Sequence, residues 1–336
     1  VNDKNLNLAS MVRSSGELGN LNLEDCKIVN LFLSGDFISR NTNYPALELG
    51  GPWHEEVKLN LYIGNAAWSH PDNNDAFIHL SEVIKNSNTT IPQGFEPSAY
   101  PCDIVGAGGA GGSAMISEGN IYENGVPISE NENYIPAGDG ENGGGALYIN
   151  GVDEDAEVKI YFVEFAVNSV GSTAKTNVVV GTVKGGGGGG AGGTYNQLER
   201  RIKTRTCANF AGAGGGGAPF GEGGPFNGRN ANLFSPGDGG DPVNNDLNIN
   251  THLGAGARGG YFGVDGDSII DISSPLNQGE IIVAGGKAGY AIKIENSFID
   301  IKYYKYSIDT RTALPLTINA DDTINGDFLE GKIVDV

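Results

Sequence analysis

Apolar and polar residues alternate over several short segments of the chain, and this alternation predicts β-strands. In the segment 57–63 every second residue is apolar, which is the pattern of a strand with one buried face. Alternating or β-branched runs predict further strands at 27–33, 156–167, 177–183, 268–272, 280–283, 291–294 and 298–308. The segment 76–86 fits a short helix or a strand, and Asn124-Gly125 is a candidate hairpin turn.

Long glycine tracts interrupt these segments. They lie at 106–112, 143–145, 185–193, 212–217, 221–224, 237–240, 254–260 and 285–289. Ordinary helices and strands do not accommodate such tracts, because glycine loses the most backbone entropy on folding and has no side chain to bury. A flexible linker would be uniform and would join two domains once, whereas these tracts recur and alternate with aromatic residues. We therefore predict a packed array of left-handed polyglycine II helices, with three residues per turn and amides bonded to neighbouring helices.

Glycine accounts for 54 of the 336 residues, about twice the usual share of roughly 7%. A conventional apolar core is therefore expected only in the glycine-poor parts of the chain. The predicted fold class is mainly β, with a glycine-rich array of packed polyglycine II helices and little α-helix.

The glycine blocks are separated by short variable loops and close with the segment Gly285-Gly286-Lys287-Ala288-Gly289-Tyr290-Ala291-Ile292. This layout resembles the receptor-binding tip proteins of bacteriophage tail fibres, over about residues 100–295. The resemblance implies a sandwich of polyglycine II helices. It also implies that the loops between the helices lie at the distal end and bind the host surface, and that the protein belongs to the virion.

The resemblance divides the chain into three regions. Residues 1–100 are expected to form a β-rich attachment domain. Residues 101–295 are expected to form the glycine-rich receptor-binding domain, with strand insertions, and 296–336 a C-terminal β segment. The expected partners are other tail-fibre or tail-tip proteins and a bacterial surface receptor, either an outer-membrane protein or a surface glycan.

The formal net charge is −20. This acidity argues against nucleic-acid binding, which needs a basic surface, and against docking on an anionic membrane. The sequence contains no apolar run long enough to span a bilayer, so no membrane insertion is expected. No signal peptide opens the chain, and its start at Val1 suggests trimming or processing. The three cysteines are widely spaced and are expected to be buried free thiols.

Candidate catalytic and cofactor motifs are missing from the sequence. The glycine blocks match neither the phosphate-loop nor the dinucleotide-binding fingerprint, and the acidic residues single out no catalytic pair. His54, His70 and His79 lack metal-ligand spacing. Residues 321–326 resemble the start of a calcium-binding loop. However, Lys332 occupies the later position at which such a loop requires a glutamate. We therefore expect no catalytic residue, no metal, no cofactor and no enzymatic activity.

A basic cluster and a set of aromatic residues are the candidate receptor contacts. The segment 195–209 holds the densest group of arginines, which could bind anionic groups of a bacterial surface or pair with internal carboxylates. Aromatic residues beside the glycines could be exposed anchors or could cap the open faces of the array. The predicted receptor-binding residues are Tyr195, Arg200, Arg201, Phe220, Phe226, Phe234, Tyr261 and Phe262.

Other functions are weighed against this one. A structural fibre or tail-tip component would have no receptor of its own, and a pure spacer would not need aromatic interruptions. A polysaccharide-degrading tail-spike would show regular β-helix repeats. An ice-binding protein would need a regular three-residue repeat and a flat face. No regular repeat of either kind is evident, so a non-enzymatic adhesin is the preferred hypothesis.

Overall fold

The computed structural model is mainly β. It describes residues 6–14, 23–66, 76–82, 99–100, 102–114, 116–118, 122–123, 126–127, 133–135, 137–168, 175–193, 195–196, 208–210, 213–241, 252–253, 255–271, 281–319, 324–325 and 328–335. The described helices are α1 (Leu8–Ser14) and a short 3-10 helix (Leu23–Asp25).

The strands are numbered in chain order. Up to the first glycine-rich tract and its loop they are β1 (Leu6–Asn7), β2 (Ile28–Ile38), β3 (Leu47–Glu48), β4 (Lys58–Ile63), β5 (Asn65–Ala66), β6 (Ala76–Glu82), β7 (Ala99–Tyr100), β8 (Cys102–Val105), β9 (Ile116–Glu118), β10 (Tyr122–Glu123), β11 (Val126–Pro127) and β12 (Asn133–Ile135). In the middle they are β13 (Leu147–Ile149), β14 (Glu157–Asn168), β15 (Lys175–Val179), β16 (Gly181–Lys184), β17 (Tyr195–Asn196), β18 (Ala208–Phe210) and β19 (His252–Leu253). The last strands are β20 (Ile269–Asp271), β21 (Ile281–Val283), β22 (Ile292–Ile294), β23 (Asp300–Ser307), β24 (Thr312–Leu316), β25 (Ile324–Asn325), β26 (Leu329–Glu330) and β27 (Ile333–Asp335).

The predicted strands are confirmed wherever the structure describes them. The segment 76–86, which fitted a helix or a strand, contains strand β6. The strands that flank Asn124-Gly125 pair antiparallel, with Glu123 opposite Val126, as a two-residue hairpin turn requires.

Two β-sheets enclose the main apolar core. All strands of the first are parallel, and the second is mixed, with parallel strands at its centre. The first has the order β1-β3-β13-β22-β27, and the second contains the run β23-β14-β4-β2 inside an 11-stranded sheet. Apolar residues at alternate positions of both sheets pack together, among them Leu47, Leu61, Leu147 and Ile160, which are fully buried.

The two sheets are built from stacked rungs, each made of a short strand, a connection and a long strand. The pairs β3–β4, β13–β14 and β22–β23 form three such rungs. Leu147 lies opposite both Leu47 and Ile292, so the short strands stack in register. This repeat shows no regular period in the sequence because long insertions separate its copies.

An aromatic ladder runs across the other face of the long strands. Phe32, Tyr62, Tyr161 and Tyr304 lie at matching positions of β2, β4, β14 and β23. Their ring centroids are 4.6, 4.4 and 4.9 Å apart along the series, and the rings are stacked. The edge of Tyr306 contacts two of these rings. The ladder therefore ties four parallel strands together through side chains as well as backbone bonds.

Strands from all three predicted regions lie in the 11-stranded sheet. β2 and β4 come from residues 1–100, β14 and β16 from 101–295, and β23 from 296–336. The three regions thus share one sheet, and the division of tasks among them stays a prediction.

The glycine tracts pack against one another and continue directly from the sheet. The central tract (185–193) follows β16 without a break. Its residues Gly186, Gly189 and Gly192 donate backbone hydrogen bonds of 2.8–3.0 Å to the neighbouring segment 138–144. Backbone bonds join the central tract to Glu330 of β26 and to the segments 106–112, 138–144, 215–218, 257–260, 263–267 and 286–289.

The bonds to each neighbour recur at every third residue of the central tract. That period equals the number of residues per turn of a polyglycine II helix, and the helix type of the tracts stays a prediction. At glycine positions of the central tract there is no room for a side chain between neighbouring tracts. A Cβ on Gly189 would overlap the carbonyl oxygen of Ala110, and one on Gly186 would overlap that of Ala107.

The array has two ends. At the sheet end, Gly106 and Gly185 follow strands β8 and β16. At the distal end, Gly138 donates to the carbonyl oxygen of Ser113 at 2.9 Å, and Gly192 donates to that of Gly138 at 3.0 Å. Neighbouring tracts run up and down between these ends, so each connection belongs to one end or the other.

Neither of the described cysteines forms a disulfide bond. Cys102 is buried in the main core and Cys26 is half-buried. Burial raises the pKa of the Cys102 thiol well above its usual value, so it stays protonated and acts as a small apolar residue. Cys207 lies outside the described residues.

Candidate functional site

Four long chain segments leave the array and return to it at the distal end. Each begins and ends beside a glycine tract, and together they span 115–136, 194–212, 242–254 and 269–283. Their stems are adjacent, because backbone bonds link Gly138 to Gly192, Ala213 to Gly240, and Gly140 to Ala284. The stems of four long insertions of the glycine-rich region therefore lie together at the distal end.

Short strands join the first three distal segments to one another. β18 of the second segment pairs with β9 of the first, and β17 of the second pairs with β19 of the third. The fourth segment forms its own hairpin from β20 and β21. Backbone pairing between segments gives the distal surface a common framework.

Two of the eight predicted receptor-binding residues, Tyr195 and Phe226, are described at the distal end. Tyr195 lies in β17 opposite Leu253. Arg200 and Arg201 belong to the same segment and lie outside the described residues. Phe226 lies in a tight turn at this end, with 69% of its surface exposed, and the side chain of the adjacent Asn227 accepts a bond of 2.9 Å from the amide of Ala213.

The other four lie at the sheet end of the array. Phe234 and Phe262 line one small cavity of about 40 Å³. The guanidinium of Arg40 lies 5.1 Å from the ring centre of Phe220, and the amide of Phe220 donates to the carbonyl oxygen of Asn232. Tyr261 receives a bond of 3.0 Å from Arg258 on its hydroxyl oxygen. The structure therefore separates the predicted set into two groups.

Two of these aromatic residues have left-handed backbone conformations. The φ angle is 56° at Phe220 and 83° at Phe226. Bulky residues rarely adopt such angles, which cost about 1–3 kcal/mol each. The strain is confined to the sharp turns that present these rings, one at each end of the array.

Sequence reasoning did not single out the distal segments 115–136, 242–254 and 269–283. The available signal was positional, since each follows a glycine tract that runs away from the sheet. Reading that direction requires the pairing of the tracts, which the sequence alone does not show.

Metal binding and membrane crossing are two further functions for which the described residues can be searched. Among them, no group of histidine, cysteine, aspartate and glutamate is arranged to hold a metal ion. No helix in the described ranges is long and apolar enough to cross a membrane.

Comparisons with known proteins give one family. Residues 167–326 match the model of a family described as phage tail fibre adhesin Gp38. A solved structure, the gp37-gp38 adhesin tip complex of the bacteriophage S16 long tail fiber, is 18% identical, with a TM-score of 0.42, over 98% of this chain and 79% of that chain. No curated protein matches the chain.

Nearly half of the chain thus resembles a phage tail fibre adhesin. This match over residues 167–326 confirms the resemblance drawn from the glycine blocks, and it agrees with a place in the tail fibre of a virion.

Proposed function

We propose that this chain is a tail-fibre tip adhesin whose distal end binds a receptor on the bacterial outer surface, either an outer-membrane protein or a surface glycan. The observation that carries the proposal is the collection of four long segments at one end of a rigid glycine scaffold, three of them paired with one another by short strands. Recognition residues commonly lie on loops held by a rigid framework, and here that framework needs no side chains from the loops.

Within the predicted set, we assign Tyr195, Arg200, Arg201 and Phe226 to the receptor-binding surface. The aromatic side chain of Phe226 is exposed and suited to act as an anchor. Phe220, Phe234, Tyr261 and Phe262 are assigned to the base of the array. Cation–π contacts of 5.0–5.2 Å with basic residues occupy three of these rings, which supports the alternative that they cap the array.

We also propose that the parallel sheets carry the attachment to another tail-fibre protein. The matched S16 structure is described as a complex of two fibre proteins, and the sheets lie at the end of this chain opposite the distal segments. The adhesin acts by binding, without catalysis, and the attachment places the distal end outward.

A segment exchange tests the proposed function. Residues 195–209 would be replaced by the corresponding loop of an adhesin with another host range, with circular dichroism to verify folding. We expect loss of binding to the original host cells and loss of competition with phage adsorption. The control is Phe234→Ala at the sheet end, which should leave adsorption unchanged. Unchanged adsorption after exchanges of both 195–209 and 242–254 would favour a structural component without a receptor.

A further inference from the structure

A second surface feature lies at the sheet end, away from the distal segments. It is a cleft of about 530 Å³ between the turn that follows Tyr261, the glycine segment 286–289 and strand β27. This size is within the range of small-molecule sites, roughly 300–1,000 Å³. The lining residues on which the inference depends are Val264, Asp265, Lys287, Tyr290, Lys332 and Val334.

The walls of the cleft are held by backbone bonds. Gly263 donates to the central tract at Gly185 (2.8 Å), and Gly289 donates to it at Gly186 (2.7 Å). The third wall is fixed where Ala291 donates to the carbonyl oxygen of Lys332 at 2.9 Å. A cleft with fixed walls loses little entropy when a ligand binds.

The charged residues of the cleft leave a positive excess. Lys287 Nζ lies 2.8 Å from Asp265 Oδ2, and the amide of Ala288 donates to Asp265 Oδ1 at 2.8 Å. Burial acts to raise the pKa of Asp265, but these two bonds, together with the positive charges of Lys287 and Lys332, outweigh it and lower the pKa, so the carboxylate is satisfied. Lys332 is exposed and forms no ion pair with any residue that the structure describes. In a chain of net charge −20, this lysine is available for an anion.

The rest of the lining is amphipathic. Val264 is 44% exposed and, with Val334, gives the cleft an apolar side. The ring of Tyr290 lies over Gly145, where a Cβ would overlap it. Burial raises the pKa of Tyr290 to about 12, so its hydroxyl keeps its proton and can donate a hydrogen bond.

We propose that this cleft binds an acidic saccharide unit, a sugar that carries a carboxylate or a phosphate. Lys332 pairs with the anionic group, while Tyr290, Val264 and Val334 lie against the ring and its hydroxyls. A saccharide suits the lining because it presents apolar C–H faces and hydroxyls together. The bacterial origin of the sugar rests on the proposed function, whereas the cleft and its charge do not.

The test measures binding of four probes to the whole purified chain by calorimetry and NMR: galacturonate, glucose 6-phosphate, glucose and inorganic phosphate. We expect saturable binding of the two acidic sugars that weakens with added salt, with glucose at least about tenfold weaker. Loss of a charge-assisted bond should weaken binding of the acidic sugars by about tenfold or more in Lys332→Ala. Val264→Asp, which adds a repelling carboxylate, should have a similar effect.

The matched control is Lys27→Ala, which removes an exposed lysine paired with Glu56 on another part of the surface and should not change the affinity. Glucose binding as tightly as the acidic sugars would overturn the proposal, as would inorganic phosphate binding as tightly as glucose 6-phosphate. Full affinity in Lys332→Ala would also overturn it. Cell adsorption by the segment-exchange variants is a separate readout, so failure of the cleft and failure of the distal receptor site are distinguishable.

Discussion

Gly189 illustrates how single residues decide whether the array closes. A Cβ at this position would overlap the carbonyl oxygen of Ala110, whereas one at Gly144 would lie 3.0 Å from the nearest atom, Thr42 Cα. Overpacking costs about 1–3 kcal/mol. We expect Gly189→Ala to lower the melting temperature by several degrees, as measured by circular dichroism, and Gly144→Ala to lower it less. Equal shifts would mean that the tracts are not closely packed at Gly189.

Individual residues were predicted by type better than by place. For Phe226 and Phe234 the sequence left open whether they are exposed anchors or caps of the array, and they are 69% and 67% exposed. Their assignment to opposite ends of the array depends on the direction of each tract. That direction is set by long-range backbone bonds, which leave no trace in local sequence.

The aromatic ladder makes the stacked strands sensitive to alkaline pH. Burial and the neighbouring Tyr304 raise the pKa of Tyr161 to about 12, whereas a tyrosine of the unfolded chain ionises near pH 10. The unfolded state therefore loses its proton first, and stability falls as the pH rises from about 10 to 12. Below that window this contribution is fully present.

Tyr161→Phe tests this sign. Thermal unfolding of the wild type should shift to lower temperature between about pH 10 and 12, and the variant should show a shallower decline over the same range. Comparison at each pH cancels the common effect of lysine deprotonation. Parallel declines in the two proteins would show that Tyr161 does not resist ionisation in the folded state.

At the level of elements, local pattern predicted the strands but not their stacking. The alternation at 57–63 and 156–167 is strong enough to identify β4 and β14. Their pairing, with Lys58 opposite Glu157, joins residues about a hundred positions apart. A repeat interrupted by an entire glycine tract and its loop cannot be seen as periodicity.

For the whole molecule, the sheets and the array should unfold together, because strands β8 and β16 run directly into glycine tracts. Leu147 is fully buried between the sheets, and Leu147→Ala should cost about 2–5 kcal/mol. We expect hydrogen exchange to quicken at the amide of Gly189 as well as in β14. Leu314→Ala, at a site that is 60% exposed, is the control and should leave both rates unchanged. Retained protection at Gly189 in Leu147→Ala would show that the array is an independent folding unit.

Because its bonds recur at every third residue, the central tract could align with its neighbours in several positions that differ by three residues and have similar backbone bonds. Sliding one tract by three residues past its neighbours would restore nearly the same set of backbone bonds, since most positions are glycine and carry nothing that distinguishes them. The correct alignment must therefore be imposed from outside the tracts. The strands that enter at the sheet end bear side chains that fit only one partner. They therefore set the alignment of the tracts, and the backbone bonds of the array then form in order from the sheet end toward the distal end. Folding in the opposite order would trap the chain in misaligned but well-bonded states.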